Sequence, residues 1–151
     1  MAQSESLIYV HLVFSTKNRN PLLIDPEFRN EMHAYYGGCL RNIDCIPICI
    51  GGFEDHIHAL LLQSGDFGIR KIIRETKRAS SMWAKTRSDA WSNFYWQRGY
   101  GAFSVSYSNV NRVVQYIETQ EEHHRKVTFQ DEYRALLKRH GIEFDERYIW
   151  D

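Results

Sequence analysis

Two β-prone segments joined by a short glycine-containing connection constrain the fold of this chain more than any other feature of its sequence. Residues 43–50 and 56–62 are rich in isoleucine and leucine, and Gly51-Gly52-Phe53-Glu54-Asp55 separates them. A connection this short joins the strands of an antiparallel hairpin, because a parallel pair needs a longer crossover. The hairpin must therefore find its remaining sheet partners among the elements on either side of it.

The flanking segments predict a strand and a helix on each side of this hairpin. Residues 7–14 form a β-rich alternating run, and Asp25-Pro26 predicts the start of a helix that extends to Arg41. Residues 68–86 show helical periodicity, and residues 100–107 alternate again. The order β-α-β-β-α-β is that of the split βαβ arrangement of ferredoxin-like and RRM-like folds.

Two more helices are predicted after this core. Ser108-Asn109 opens a third helix, and a fourth extends from Thr128 as N-cap to Gly141. We therefore expect an α+β protein with an antiparallel sheet, helices on one face of it, and an extra C-terminal helix. A chain of 151 residues has room for one hydrophobic core, which predicts a single domain over residues 1–151.

Composition excludes several classes of protein. Nineteen basic residues balance nineteen acidic ones, so no overall charge favours a nucleic acid partner, and any such partner must be inferred from local clusters. The apolar run at residues 7–14 is too short to span a bilayer and has no basic residue before it. We expect a cytoplasmic protein with no membrane segment.

Three cysteines, an odd number without a secretion signal, predict buried free thiols rather than a disulfide framework. Cys45 and Cys49 stand at even spacing, which predicts that both face one side of a strand. Zinc ligation by this pair therefore stays open, although no Cys-x-x-Cys motif supports it.

A His-x-His pair begins the predicted third strand. His56 and His58 are two residues apart, so both imidazoles leave the same face of the strand and can reach one ion. The alternative is an incidental pair of hydrogen-bonded surface histidines. The glycines before the pair and the leucines after it place it at the end of a buried strand, which favours the metal hypothesis.

The third predicted helix contains a second candidate pair. Tyr116 and Gln120 are four residues apart and so are neighbours on one helix surface. A tyrosine is a suitable nucleophile when the reacting group must stay attached to the protein, and an amide oxygen can complete a metal shell. The alternative is a tyrosine that packs on the sheet. His123 and His124 follow, but Gln120 already faces Tyr116, so we expect them at most behind the metal ligands.

Three motifs in this order resemble the IS200/IS605 family of single-tyrosine transposases. They are the HUH motif Asp55-His56-Ile57-His58, the stretch 95–105, and Tyr116 with Gln120 in a Tyr-x-x-x-Gln pattern. The resemblance extends over nearly the whole chain.

The resemblance implies that His56, His58 and Gln120 hold Mg²⁺ or Mn²⁺. Tyr116 would attack a phosphate of single-stranded DNA to form a 5′-phosphotyrosine link and free a 3′-hydroxyl, and a second 3′-hydroxyl would later rejoin DNA. The resemblance also implies a homodimer that recognises hairpins at the ends of an element. In such a dimer the tyrosine helix of one subunit completes the histidine site of the other.

The second predicted helix supplies local positive charge. Between residues 70 and 87 only Glu75 opposes a series of basic side chains, a composition that suits contact with DNA phosphates. The candidate DNA contacts are Arg70, Arg74, Lys77, Arg78 and Lys85. A solvated helix face is the alternative interpretation.

Other functions remain as hypotheses. A histidine-triad phosphohydrolase is disfavoured because Leu60 stands where its third histidine would be. A non-catalytic module that binds single-stranded nucleic acid would leave Tyr116 and Gln120 unexplained. A domesticated, repeat-associated relative would keep the tyrosine chemistry but cut host hairpins.

Overall fold

The hairpin predicted from the sequence forms one edge and part of the centre of a four-stranded antiparallel sheet. The computed structural model describes residues 4–151. Its strands are β1 (Tyr9–Ser15), β2 (Ile46–Gly52), β3 (His56–Leu62) and β4 (Gly101–Val105). They lie in the order β2-β3-β1-β4 with every neighbouring pair antiparallel. The predicted split βαβ arrangement is confirmed.

Two long helices cover one face of this sheet. They are α1 (Pro26–Arg41) and α2 (Ile69–Arg87). Asp25 caps α1 by accepting a hydrogen bond from the backbone N–H of Glu27, and Gly37-Gly38 lies within the helix without interrupting it. The buried side chains of this face come from alternate positions of the central strands: Val10, Leu12, Phe14, Ile57, Ala59 and Leu61. These side chains form the main hydrophobic core.

Three further helices lie on the opposite face. They are α3 (Val110–Glu118), α4 (Gln120–His123) and α5 (Phe129–Arg139). Their smaller core consists of Val13, Phe103, Phe129, Tyr133, Leu136 and Leu137. The expectation of helices on one face therefore describes α1 and α2, and the C-terminal helices cover the other face. The sheet is covered on both sides, which agrees with the burial of every residue from Val10 to Ser15 in β1.

The three cysteines are free thiols, as expected. The prediction that Cys45 and Cys49 share a face is wrong, because Cys45 precedes β2 and the register of β2 shifts between Pro47 and Cys49. Cys45 lies in the main core, whereas Cys49 contacts the carbonyl of Val114 in α3. In the part of the chain that the structure describes, no helix is long and apolar enough to cross a membrane.

A glycine in β2 sets the position of α3. A Cβ atom at Gly51 would lie 2.6 Å from the carbonyl oxygen of Ile117 and 2.7 Å from its Cγ2. Only a residue without a side chain permits this close approach of helix to strand. Since Tyr116 precedes Ile117, the same contact determines where the candidate nucleophile lies over the sheet.

We expect Gly51→Ala to destabilise the protein by about 1–3 kcal/mol, because the added methyl group must displace α3. Chemical unfolding in urea measures this change. Gly38→Ala is the matched control, since a Cβ atom there has no neighbour within 4 Å and alanine favours a helix by about 0.5–1 kcal/mol. Equal stability of Gly51→Ala and the wild type would contradict close docking of α3.

Candidate active site

The two histidines of the His-x-His pair lie on the face of β3 that the C-terminal helices cover. His56 and His58 are fully buried, and their ring centroids are 5.1 Å apart. The intervening Ile57 points into the main core on the other face. The alternation of a strand therefore brings both imidazoles to one place, as the sequence predicts.

Tyr116 and Gln120 reach these histidines from the C-terminal side of the chain. The rings of Tyr116 and His58 are 5.6 Å apart, and Oε1 of Gln120 lies 3.0 Å from Nε2 of His56. Gln120 belongs to α4, since the helix breaks at Thr119, yet its side chain remains beside Tyr116. One chain thus assembles the tyrosine and histidines that the family resemblance places in different subunits.

The short connection after β4 explains why α3 reaches its own sheet. Only residues 106–109 separate β4 from α3, and the contact at Gly51 holds the helix against β2 of the same chain.

A glutamate that the sequence analysis missed lies at the centre of the cluster. Glu132 of α5 is only 3% exposed, and its Oε1 lies 3.0 Å from Nε2 of His58 and 3.5 Å from Nε2 of His56. Its Oε2 accepts hydrogen bonds from the Tyr116 hydroxyl and from Nε2 of Gln120. The carboxylate therefore joins the candidate metal ligands to the candidate nucleophile.

The sequence does contain a signal for Glu132. The buried stripe of α5 consists of Phe129, Tyr133, Leu136 and Leu137, and position 132 falls among them at helical spacing. A carboxylate on an otherwise apolar stripe is rarely buried without a partner.

His124 also belongs to the cluster, although the sequence predicts it at most behind the metal ligands. Its Nε2 lies 3.1 Å from Oε1 of Glu132 without hydrogen-bond geometry. His123 is more distant, with Nε2 3.5 Å from Oε2 of Glu132 and a side chain about one-third exposed. The turn that ends α4 brings His124 towards the sheet, which the periodicity of one continuous helix does not predict.

The Nδ1 atoms of His56 and His124 each face a group that can only accept a hydrogen bond. Nδ1 of His56 donates to the Asp55 carboxylate at 2.8 Å, and Nδ1 of His124 donates to the carbonyl of Val127 at 2.7 Å. Nε2 of His56 faces Oε1 of Gln120, and Nε2 of His124 faces Oε1 of Glu132. Both of these oxygens can only accept hydrogen bonds. When the proton is on Nδ1, Nε2 of each ring has a lone pair to which no neighbouring group donates, as a metal ligand requires.

The same cluster meets the geometric requirement of a metal centre. Ligand atoms of His56, His58, His124 and Glu132 all lie within 4.8 Å of one another, and three of these residues are buried. Outside this cluster, a further histidine contacts His58: Nε2 of His11 is 2.8 Å from Nδ1 of His58. Burial and the neighbouring His58 lower the pKa of His11 to about 3, so this ring is neutral.

Electrostatics at the centre of the cluster favour an ionised Glu132 and a protonated Tyr116. Burial alone would raise the pKa of Glu132, but its contacts with His124 and His58 outweigh burial and hold the pKa far below its usual range. Burial and the Glu132 carboxylate both raise the pKa of Tyr116 well above its usual value. Tyr116 is consequently held as a neutral phenol in this state.

The basic residues of α2 lie on the opposite side of the sheet from this cluster. Arg70, Arg74 and Arg78 are exposed and line a groove of about 400 Å³ together with the segment 95–100. Lys77 lines it too, but its ammonium donates to the carbonyls of residues 97 and 99 at 2.9 Å and 2.7 Å. Burial lowers the pKa of Lys77 to about 8. The basic groove and the candidate active site therefore lie on opposite faces of the sheet.

Lys85 lies outside the groove. Its ammonium is 4.0 Å from the centroid of the half-exposed Tyr95 ring, which itself lines the groove.

The chain is similar to known proteins in both sequence and structure. A family model described as "Transposase IS200 like" matches residues 4–120. A structure designated a transposase from Deinococcus radiodurans R1 is 21% identical, with a TM-score of 0.60 over 80% of this chain and 98% of that one. A REP-associated tyrosine transposase bound to a REP hairpin is 16% identical, with a TM-score of 0.59 over 84% of this chain and 76% of that one. None of the curated proteins matches the sequence.

We expect Glu132→Gln to lower stability by about 1–3 kcal/mol near pH 5.5 and by less near pH 8.5, because the variant loses a charged hydrogen-bond acceptor. The Glu132 carboxylate raises the pKa of His124 above its usual 6.5 despite burial, so this stabilisation is present below pH 6.5 and is lost at higher pH. The same stabilisation also requires that Glu132 is ionised. Because the pKa of Glu132 is lowered from its usual 4.5, the carboxylate is charged at both pH values.

Urea unfolding in the presence of EDTA at both pH values measures this difference. Glu143→Gln is the control, because Glu143 is exposed. A loss of stability that is equal at the two pH values would contradict the coupling between Glu132 and the histidines.

Proposed function

This chain belongs to the family of IS200-like transposases, and on that premise we propose that it cleaves and rejoins single-stranded DNA through a covalent bond to Tyr116. The observation that supports this most directly is the Tyr116 hydroxyl bonded to the same buried carboxylate that faces His56 and His58. A purely structural tyrosine has no need of such a neighbour. The active unit proposed is the single domain of residues 1–151.

Tyr116 would act as the nucleophile. Its oxygen forms a bond to the scissile phosphorus while the bond to the 3′-oxygen breaks, which leaves a 5′-phosphotyrosine and a 3′-hydroxyl. Reversal by another 3′-hydroxyl rejoins DNA without an external energy source, because one phosphodiester replaces another. Glu132 holds the phenol oxygen in place before the attack.

A divalent cation, Mg²⁺ or Mn²⁺, would supply charge neutralisation of the scissile phosphate when bound. His56, His58, His124 and Glu132 are the residues that would hold it, with Oε1 of Gln120 adjacent. The donor set fits, because the Nε2 atoms of His56 and His124 face oxygens that cannot donate to them. Several imidazoles with one carboxylate suit Mn²⁺ better than Mg²⁺.

Glu132 would influence the protonation of the nucleophile. Its carboxylate, together with burial, raises the pKa of Tyr116 and keeps the hydroxyl protonated. Glu132 would oppose loss of the phenol proton less strongly when its charge is shared with a cation.

DNA with hairpins is the proposed substrate, and the basic groove of α2 would contact its phosphates. Arg70, Arg74 and Arg78 are exposed there, whereas the ammonium of Lys77 is occupied by main-chain carbonyls. Because this groove and Tyr116 lie on opposite faces of the sheet, a bound strand must pass around a sheet edge to reach the tyrosine. A DNA substrate agrees with the expected cytoplasmic location.

A homodimer remains part of the proposal, but the arrangement within one chain favours a second candidate. A domesticated, repeat-associated nuclease that works with its own tyrosine would need no partner subunit. The contact between Tyr116 and Glu132 of the same chain supports that alternative. A non-catalytic binding module is disfavoured, because it would bury a charged Glu132 among histidines for no purpose.

Tyr116→Phe should abolish the covalent protein–DNA adduct and leave binding of hairpin DNA within about twofold of the wild type, because only the nucleophilic oxygen is lost. Single-stranded DNA from the ends of the chain's own genomic locus, incubated with Mn²⁺ and separated on a denaturing gel, provides the assay. Tyr107→Phe is the control, since Tyr107 is 79% exposed. An adduct that persists in Tyr116→Phe would exclude Tyr116 as the nucleophile.

Mn²⁺ should raise the melting temperature of the wild-type protein, because an ion that binds only the folded state stabilises it. His58→Ala should lose most of that increase, whereas His140→Ala, outside the cluster, should retain it. Thermal unfolding across a Mn²⁺ titration, with EDTA as the reference state, measures the effect independently of catalysis. Equal responses of the two variants would show that the metal binds elsewhere.

Reversal of charge in the groove, Arg74→Glu with Arg78→Glu, should weaken binding to unrelated hairpins. The slope of log Kd against log salt concentration should fall by the amount expected for the loss of about two phosphate contacts. Fluorescence anisotropy at several salt concentrations provides the slope. Lys126→Glu with Lys138→Glu makes the same change in net charge away from α2. An identical slope in both double variants would show that α2 does not contact DNA phosphates and is a solvated helix face.

A further inference from the structure

A cavity next to Tyr116 is not explained by the metal cluster or by the basic groove. It has a volume of about 420 Å³ and lies between β4, α3 and α5. Tyr116 lines one side of it, so the cavity and the buried Glu132 contact the same aromatic ring. Its volume is within the range of about 300–1,000 Å³ that is usual for pockets that bind small organic ligands.

Aromatic and imidazole rings line one part of this cavity. The rings of Phe103 and His140 are stacked, with centroids 4.3 Å apart and planes inclined by 28°. His11 lies beyond Phe103, with ring centroids 6.1 Å apart. Flat ring surfaces suit a flat ligand that stacks.

Two arginines line the same cavity. Arg112 precedes Tyr116 by one turn of α3, and Arg139 is the last residue of α5. Both are exposed, and within residues 4–151 neither guanidinium has an ion-pair or side-chain hydrogen-bond partner. Two free guanidinium groups therefore line the same cavity as the candidate nucleophile.

We propose that this cavity binds one nucleotide next to the phosphodiester that Tyr116 attacks, with the base on the Phe103 and His140 side and a phosphate at Arg112 and Arg139. The inference rests on the proposed function, because it concerns the same substrate. It adds a contact that selects and positions a nucleotide beside the cleaved bond. Stacking tolerates any base, so the cavity requires a base without specifying which one.

Charge and shape together favour a nucleotide over other ligands. A free phosphate or sulfate would use the arginines but leave the ring-lined part of the cavity empty. An uncharged aromatic compound would fill that part but leave two guanidinium groups without an acceptor. Only a ligand with a flat ring and an attached anion uses both halves.

Binding of single nucleotides tests this proposal without any cleavage. The probes are dAMP, dTMP, 2-deoxyribose 5-phosphate and inorganic phosphate, titrated into the ¹⁵N-labelled wild-type protein in EDTA. We expect the amide resonances of Phe103, Arg112 and His140 to shift with either nucleotide. Affinity for the nucleotides should exceed that for 2-deoxyribose 5-phosphate by about tenfold, because the base stacks.

Arg112→Ala and Arg139→Ala should each weaken nucleotide binding by about tenfold, because each loses one charged contact with phosphate. Arg125→Ala, an exposed arginine outside the cavity, is the matched control and should bind as the wild type does. Val113→Trp fills the cavity and should abolish the shifts at Phe103 while leaving the circular dichroism spectrum unchanged.

Equal affinity for inorganic phosphate and for the nucleotides would overturn the proposal, since the rings would then contribute nothing. Shifts confined to the α2 groove would overturn it as well. Failure of the proposed function is a separate result, because it would appear as the absence of a Tyr116 adduct on single-stranded DNA whatever the nucleotide titration shows.

Discussion

The buried carboxylate of Glu132 is the contact on which the organisation of the candidate site depends. It is held between the histidines of β3, the hydroxyl of Tyr116 on α3 and the amide of Gln120 on α4. A buried charge is costly unless it is compensated, so these partners must remain in place for the C-terminal helices to pack on the sheet. Folding of this face and assembly of the site are therefore one event.

The sheet separates the basic residues of α2 from the candidate active site. Alternate residues of β3 place Ile57 in the core beneath α1 and α2 and place His56 and His58 beneath the C-terminal helices. Basic charge accordingly lies on α2, on one face, while the candidate nucleophile and the candidate metal ligands lie on the other. The proposed phosphate contacts at α2 would hold DNA, but they would not stabilise the reacting phosphate directly, because the sheet lies between them.

Close packing of α3 on β2 supports this arrangement. The approach at Gly51 brings the backbone of Ile117 against the strand. Two other residues of α3, Tyr116 and Arg112, face different surroundings. Tyr116 contacts Glu132 at the inner end, while Arg112, one turn earlier, lines the open cavity. One helix thus presents both the candidate nucleophile and the charge beside it, and their spacing is that of a single helical turn.

The sequence by itself determined the order of the strands and the main helices, the split βαβ arrangement and the family. Alternation in β1, the apolar segments of β2 and β3 and the short connection after Gly52 leave few ways to arrange the sheet, because strand-forming patterns and short-loop geometry are local properties. The motifs containing His56, His58, Tyr116 and Gln120 were recognisable for the same reason.

Only the tertiary structure decided which residues meet across long separations. Glu132 and His124 join the histidines of β3 because α4 ends in a turn and α5 folds back over the sheet, and no local pattern specifies that path. Packing between distant segments also determines three other features. It places α2 on the far face of the sheet and Tyr116 against the histidines of its own chain. It also produces the register shift that separates Cys45 from Cys49.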